Sequence, residues 1–197
     1  VNKMFYEFER MPHRVEAVTE EAKKRRDNFR YNKDLCNMHM MVPYVTSVNL
    51  LQWALDELEM PKKRVVWSAI AYSGHLDVLK WARAQDPPCD WDKYVCSAAA
   101  GNGHLDMLQW ARAQDPPCAW DAWVCSGAAE NGHLDVLKWA RAQDPPCDWN
   151  ASVCMFAAKN GYLDVLKWAR AQDPPCDWDA RVCSEAAENG HLDIIEW

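Results

Sequence analysis

The 197-residue chain has a formal net charge of -7 and a pI near 5.3, and at 49% hydrophobic it has enough apolar side chain to build a substantial core. Binding to DNA or RNA backbones rests on Lys and Arg displacing counterions, so an acidic chain of this kind excludes nucleic acid as the expected partner. No stretch approaches the roughly 18 consecutive apolar residues of a membrane span, and the opening VNKMFYEFER lacks the apolar centre of a signal peptide. The expectation is therefore an intracellular chain, cytoplasmic or nuclear, without membrane attachment.

Taken in chain order, Met4, Phe5, Phe8 and Met11, then Val15, Val18 and Ala22, have the spacing of amphipathic helices. Residues 1–30 read as a charged helical segment placed to cap the rest of the chain. Lys23 to Arg26 spell KKRR, which fits basic residues compensating a helix C-terminus better than a nuclear import signal. From residue 31 to the end the chain reads as a repeat array. SVNLLQWALDELEMP, from Ser47 to Pro61, matches the second helix of a degenerate first unit, with Trp53 lying 28 residues before Trp81. Residues 60–88 form the next unit, where Trp67 holds a helix position that later belongs to Cys. The first residue is Val and the last, Trp197, falls inside a unit, so both ends are expected to be edges of a longer protein.

The repeat itself is strict. GHLD begins at Gly74, Gly103, Gly132 and Gly190, with GYLD at Gly161, each a multiple of 29 residues from the others. A fixed period of this length is the mark of a stacked array of small units, each unable to bury its apolar face alone. Trp81, Trp110, Trp139, Trp168 and Trp197 keep the same step, as do Trp91, Trp120, Trp149 and Trp178 and the prolines at 87, 116, 145 and 174. The array comprises about six units, the first degenerate and the last truncated.

Each unit translates into two helices. Asp92, Asp121, Asn150 and Asp179 stand where a side chain can accept from the free amides of a helix start. The preceding Trp and the Cys five residues beyond it, Trp91 with Cys96, have the spacing of a hydrophobic staple. The first helix then runs to Asn102 and Gly103, where glycine can take the left-handed conformation that ends a helix. The second, LDMLQWARAQ, carries Asp106 in its first turn and is expected to stop before Asp115, because a residue preceding proline leaves helical geometry. Leu76, Val78, Leu79, Trp81 and Ala82 form its apolar stripe. Alanine pairs such as Ala99 and Ala100 let first helices approach closely. Fully buried, each Trp would contribute several kcal/mol as an upper bound, at about 25 cal/mol per Å² over roughly 150 to 250 Å².

With the unit laid out in this way, its residues resemble a known family. AAENGHLDVLKWA, from Ala128 to Ala140, is similar to the middle of an ankyrin repeat, and the five GHLD-type sites in register make the resemblance specific from about Tyr31 onward. Two features depart from it. The first helix opens with VCS where ankyrin repeats carry TPLH, and the 29-residue period falls short of the usual 33. The difference lies in QDPPCDW, where ankyrins build a projecting β-hairpin. The expected fold class is thus all-α, an ankyrin-like α-solenoid of stacked helix-turn-helix repeats with reduced or absent hairpins.

Several columns invite chemistry. Of nine cysteines, eight form two columns, Cys89, Cys118, Cys147, Cys176 and Cys96, Cys125, Cys154, Cys183, leaving Cys36 apart. Equivalent residues of adjacent units should lie about 10 Å apart, too far for a disulfide, and the spacing within a unit lacks the short gap of zinc sites. Small buried thiols are the better account, so neither a metal nor another cofactor is expected. His75, His104, His133 and His191 recur in nearly every unit, whereas an active site is singular; a polar link between repeats is expected, and no catalytic residue. No phosphate loop, nucleophile elbow or zinc-protease motif is present, so the chain is read as a non-enzyme. Lys80, Arg83, Arg112, Lys138, Arg141, Lys167 and Arg170 make a basic ladder, but Asp77, Asp106, Asp135 and Asp164 run beside it, and pairs such as Asp77 with Lys80 read as an ordinary solvated face.

Positions where the units differ are more informative, since stacking constrains only the shared ones. One such column runs Tyr94, Trp123, Ser152, Arg181; a second Ala98, Gly127, Phe156, Glu185; a third Gly101, Glu130, Lys159, Glu188. The resemblance implies that first helices line a concave side on which protein partners bind, and Trp and Arg are favoured in interface hot spots. The expected function is a monomeric protein-binding scaffold that grips its partner through these columns. The alternative is a substrate-recruiting region of a larger enzyme or ubiquitin-ligase adaptor.

Overall fold

The computed structural model describes residues 41–57 and 64–197, so the expected N-terminal cap, the KKRR run and Cys36 lie outside the described residues. The described residues are all-helical, without a strand among them. A 3₁₀ turn at Val42–Tyr44 and α1 (Val48–Glu57) precede α2 (Arg64–Ser73) and α3 (Leu76–Arg83), then α4 (Lys93–Gly101) and α5 (Leu105–Arg112). The same pairing continues as α6 (Ala122–Glu130) with α7 (Leu134–Arg141), α8 (Ala151–Lys159) with α9 (Leu163–Arg170), and α10 (Ala180–Glu188) with α11 (Leu192–Glu196).

The helix starts are made as their sequence implies. Asp92, Asp121, Asn150 and Asp179 each accept from the amide two residues on, at 2.9 to 3.0 Å. Each first helix ends at a left-handed glycine, with φ between 73° and 79°. Conformation is only half of that requirement. A Cβ on Gly132 would lie 2.5 Å from the Tyr162 ring, and one on Gly74 equally close to His104, because the ring that opens each second helix lies flat on the glycine of the unit before. The His104 ring nitrogen then reaches the carbonyl of Tyr72 at 3.1 Å, and His191 that of Lys159 at 3.0 Å. His104 and His191 therefore act as polar links between repeats, while His133 and Tyr162 make the ring contact on the glycine.

The second helices end earlier than their sequence implies, at Arg112 and its equivalents rather than beside the proline. Two local bonds account for it. The amide of Ala113 is shared by the carbonyls of Gln109 and Trp110, and the Gln114 side chain donates to Trp110 O at 2.9 Å, so the final turn is closed before proline can act. The chain is then free to bring the amide of Cys118 back to Ala111 O at 3.0 Å. The Asp–Pro bonds at 86–87, 115–116, 144–145 and 173–174 are cis.

First helices pack on first helices in succession, α2 on α4, α4 on α6, α6 on α8 and α8 on α10, while α5, α7, α9 and α11 lean chiefly on their own partners. Alanine makes the close approach possible: Ala99, Ala100, Ala128, Ala129, Ala157 and Ala158 are all buried. Val78, Leu79, Met107, Leu108, Val136, Leu137, Val165 and Leu166 fill the space between the two helix rows.

The tryptophans are a correction to the sequence-based expectation. The two columns are half-buried, and exposed at Trp178 and Trp197 in the last unit. They pair with each other: Trp91 with Trp110, Trp120 with Trp139 and Trp149 with Trp168, centroids 5.7 to 5.9 Å apart and edge to face. Such a pair contributes about 0.5 to 1.5 kcal/mol beyond its burial, so the rings do less than full burial would imply. Trp67 is the buried exception, and its indole nitrogen has no hydrogen-bond partner among the described residues.

The glycine junction makes a comparative prediction. Gly132→Ala must take a left-handed conformation and displace Tyr162, costing about 2 to 4 kcal/mol, whereas Gly190→Ala, with nothing within 4 Å of its new methyl group, costs only the backbone term of about 1 to 2 kcal/mol. Urea unfolding of the two variants measures the difference.

Candidate protein-binding face

The three variable columns fall on one line. Tyr94, Ala98 and Gly101 stand at i, i+4 and i+7 of α4, and Trp123, Gly127 and Glu130 repeat this on α6, as do Ser152, Phe156 and Lys159 on α8 and Arg181, Glu185 and Glu188 on α10. That spacing puts the three positions of each helix on one side of it. The face therefore collects all the sequence-selected positions on four adjacent first helices.

Its character changes along its length. At the α4 and α6 end, Tyr94 is 49% exposed and Trp123 is 61% exposed. Tyr94 is flanked by cations, with Arg64 5.0 Å and Lys93 5.6 Å from its ring centre. Both cations are also paired, Arg64 with Asp92 at 3.3 Å and Lys93 with Asp121 at 2.9 Å. Trp123 has no ring or cation partner among the described residues. One to two turns along from the aromatics, the same face carries Ala98 and Gly101 on α4 and Gly127 and Glu130 on α6. A Cβ on Gly127 would meet the Gly101 backbone no closer than 3.5 Å, an ordinary contact, and Gly127 lies within α6 with no left-handed conformation to satisfy. Glycine inside a helix costs roughly 0.5 to 1 kcal/mol relative to alanine, and packing does not demand it here.

Further along, Ser152 and Phe156 are half-buried and Lys159 is exposed. Arg181 folds back on its own cap, its guanidinium 2.7 and 3.0 Å from the Asp179 carboxylate, which holds that carboxyl below its ordinary range. Glu130, Glu188 and the half-buried Glu185 have no ion-pair partner among the described residues.

The opposite side of the molecule is structurally committed. Arg83, Arg112, Arg141 and Arg170 do not form a free basic ladder: each donates to the carbonyl of the next connection's cysteine, at 2.6 to 2.7 Å. The first three also stack over Trp91, Trp120 and Trp149 at 4.2 to 4.3 Å. Nor do pairs of the Asp77 and Lys80 type form among the described residues; Asp106 instead bonds the amide of Met107 at 2.8 Å.

The cysteines of the two columns meet across units rather than within a column. Cys118 Sγ donates to Asp92 O at 3.3 Å, and Cys96 Sγ points at Cys118 O at 3.8 Å; Cys147 and Cys125 repeat the arrangement one unit on. All described cysteines are free thiols, and Cys183 alone among them is exposed, a departure from the expected buried column. Hydrogen bonding to the neighbouring thiol, then burial, raises Cys96, Cys125 and Cys154, and the same bonds lower Cys147 and Cys176 as acceptors. The raised direction governs each pair, because burial opposes a charge on either member. Burial pushes the Cys89 thiol up to about 11. No group of three or more His, Cys, Asp or Glu among the described residues is placed to hold a metal ion, and no helix among them is long and apolar enough to cross a membrane.

Comparison with protein-family models and with curated proteins gave no match to this chain.

The thiols carry two testable consequences. Iodoacetamide at pH 8 labels Cys183 at the rate of a free thiol and the buried ones more slowly by at least about 100-fold until urea is added, as read by peptide mass spectrometry. In the unfolded chain Cys89 ionises near its ordinary 9.0, so above that pH the unfolded state holds fewer protons than the folded one. Its contribution is complete below pH 9 and lost as the pH rises towards 11; the decline in unfolding free energy over that range is shallower in Cys89→Ala.

Proposed function

We propose that the chain is a divergent ankyrin-like solenoid whose first helices present a protein-docking face, and that it acts as a non-enzymatic scaffold. Close packing of the alanine-rich first helices, set against second helices separated by tryptophan pairs, favours a curved stack with the first-helix side inside. A partner lying along that inner side would touch several units at once, so the positions that differ between units would set its specificity.

The observation that carries this reading is Trp123, 61% exposed on the variable face. The column tryptophans from Trp91 onward are each paired with another ring, whereas Trp123 extends from a helix that reached the same fold with Tyr94, Ser152 or Arg181 at that position. The repeat tolerates its replacement, and an exposed indole beside the exposed Tyr94 is the kind of aromatic anchor that protein interfaces use.

The test compares partner capture from lysate by the parent chain, by Trp123→Ala with Phe156→Ala, and by a Lys138→Ala control on the opposite helix row. Loss of the captured proteins with the face variant alone is the expected result. Equal capture by all three, with unchanged unfolding midpoints, removes the reading.

A further inference from the structure

Within that face, the α4 and α6 end has two exposed aromatics with low ground beside them. Tyr94 and Trp123 stand at the same register in the first turns of the two helices. One to two turns further along, Ala98, Gly101 and Gly127 rise no higher than a methyl group, as far as Glu130 at the end of α6; this low ground is a slot beside the rings. The equivalent positions elsewhere carry Phe156, Glu130, Lys159, Glu185 and Glu188, so the fold accepts large side chains there. Helix α6 keeps glycine at 127 against its own helical preference and without a steric reason, and the effect is to leave the slot open.

Charge indicates what enters it. The described cations beside the slot are neutralised in place, Arg64 by Asp92 and Lys93 by Asp121, and Glu130 on α6 is an exposed carboxylate without an ion pair, so among the described residues this end has no unpaired positive charge to offer an acidic ligand. At the other end the negative charge is denser. Arg181 is held by Asp179, which leaves Glu185 and Glu188 without an ion pair on the same helix face, with Lys159 on α8 the nearest unpaired cation of that face among the described residues. A ligand complementary to both ends is apolar against Tyr94 and Trp123 and basic at α10.

We propose that an extended polypeptide segment of a partner seats one apolar side chain between Tyr94 and Trp123 and places a Lys or Arg against Glu185 and Glu188. The inference rests on the docking-face reading above and adds to it the chemistry and spacing of the occupant. Packed helices lie about 8 to 10 Å apart, and the midpoint of α4 and α6 is two and a half spacings from α10, so the two anchors are roughly 20 to 25 Å apart. An extended chain covers that distance in about six to eight residues.

A peptide array tests this directly. The immobilised probes are dodecapeptides on a Gly and Ser background, each with one Leu and two adjacent Lys separated by two to nine residues, together with matched sets in which Glu replaces Lys or Ser replaces Leu. Binding of the purified chain should peak at a separation of about six to eight and fall at least about tenfold in either matched set. Glu185→Gln with Glu188→Gln should remove the preference for Lys over Glu while leaving the need for Leu. Gly127→Ala should weaken binding at least about fivefold while raising the thermal midpoint by about 2 to 4 °C, a combination that a purely structural glycine would not produce.

Binding that depends on Trp123 but is indifferent to Lys, to Glu or to spacing overturns this inference and leaves the docking face standing. Absence of Trp123-dependent binding to every probe overturns it together with the peptide-binding use of the face. A Trp123-dependent dimer in sedimentation, with no peptide preference, identifies a second copy as the occupant and overturns it as well.

Discussion

The structure depends on a single junction repeated at every 29-residue step, in which each unit is completed by the next. A left-handed glycine closes the first helix, and the ring that opens the next unit's second helix lies on that glycine with no room for a Cβ between them. On the other side of the unit, one cysteine gathers four groups, three through its backbone and one through its thiol. The amide of Cys118 bonds Ala111, its carbonyl receives Arg112 and the Cys96 thiol, and its own thiol turns back to Asp92 of the preceding unit. Buried backbone groups in a connection without sheet partners must find hydrogen bonds elsewhere, and here the side chains of the repeat supply them.

This arrangement explains how the connection manages with few residues. Among the described residues QDPPCDW forms no hairpin; a glutamine closes the helix, an arginine spans the turn, and the thiol ties it to the previous unit. The arginine does two things at once, donating to a carbonyl and covering a tryptophan, a combination suited to a planar guanidinium and not to an ammonium. Where no further unit stacks in the structure, the same residues change character: Cys183 and Ala187 are exposed although their equivalents are buried.

Because junction contacts involve one set of positions, the remainder of each first helix is free to differ. That division gives the variable face its meaning. Its residues are not required for stacking, and they vary from an aromatic and glycine pattern on α4 and α6 to a carboxylate pattern on α10. A helix-interior glycine carries a cost to the folded chain, and Trp123, the most exposed indole among the described residues, lies at the same end of the face. Their shared location is what singles out this end from the rest of the surface.

Much of this was legible in the amino-acid order alone, because caps, glycine turns and helix periods are local. Asp92 and its equivalents, Gly103 and its equivalents, and the paired helices could be placed from residue types and a strict period, as could the histidine link between units. The ends of the second helices could not, since a glutamine side chain closes them before the proline that the sequence makes conspicuous. The partners of long side chains were also beyond local inference. Arg112 looks solvated and instead bridges a connection, Trp91 looks buried and instead meets Trp110 at an angle, and two cysteine columns that look separate converge across units. The variable positions could be identified by comparing units, but that they form one continuous face, with exposed aromatics at one end and two unpaired carboxylates on one helix at the other, emerges only from how neighbouring helices are set side by side. Sequence specifies what is decided within a turn or two of helix; three-dimensional packing decides which distant groups share a surface and which of their charges are already satisfied.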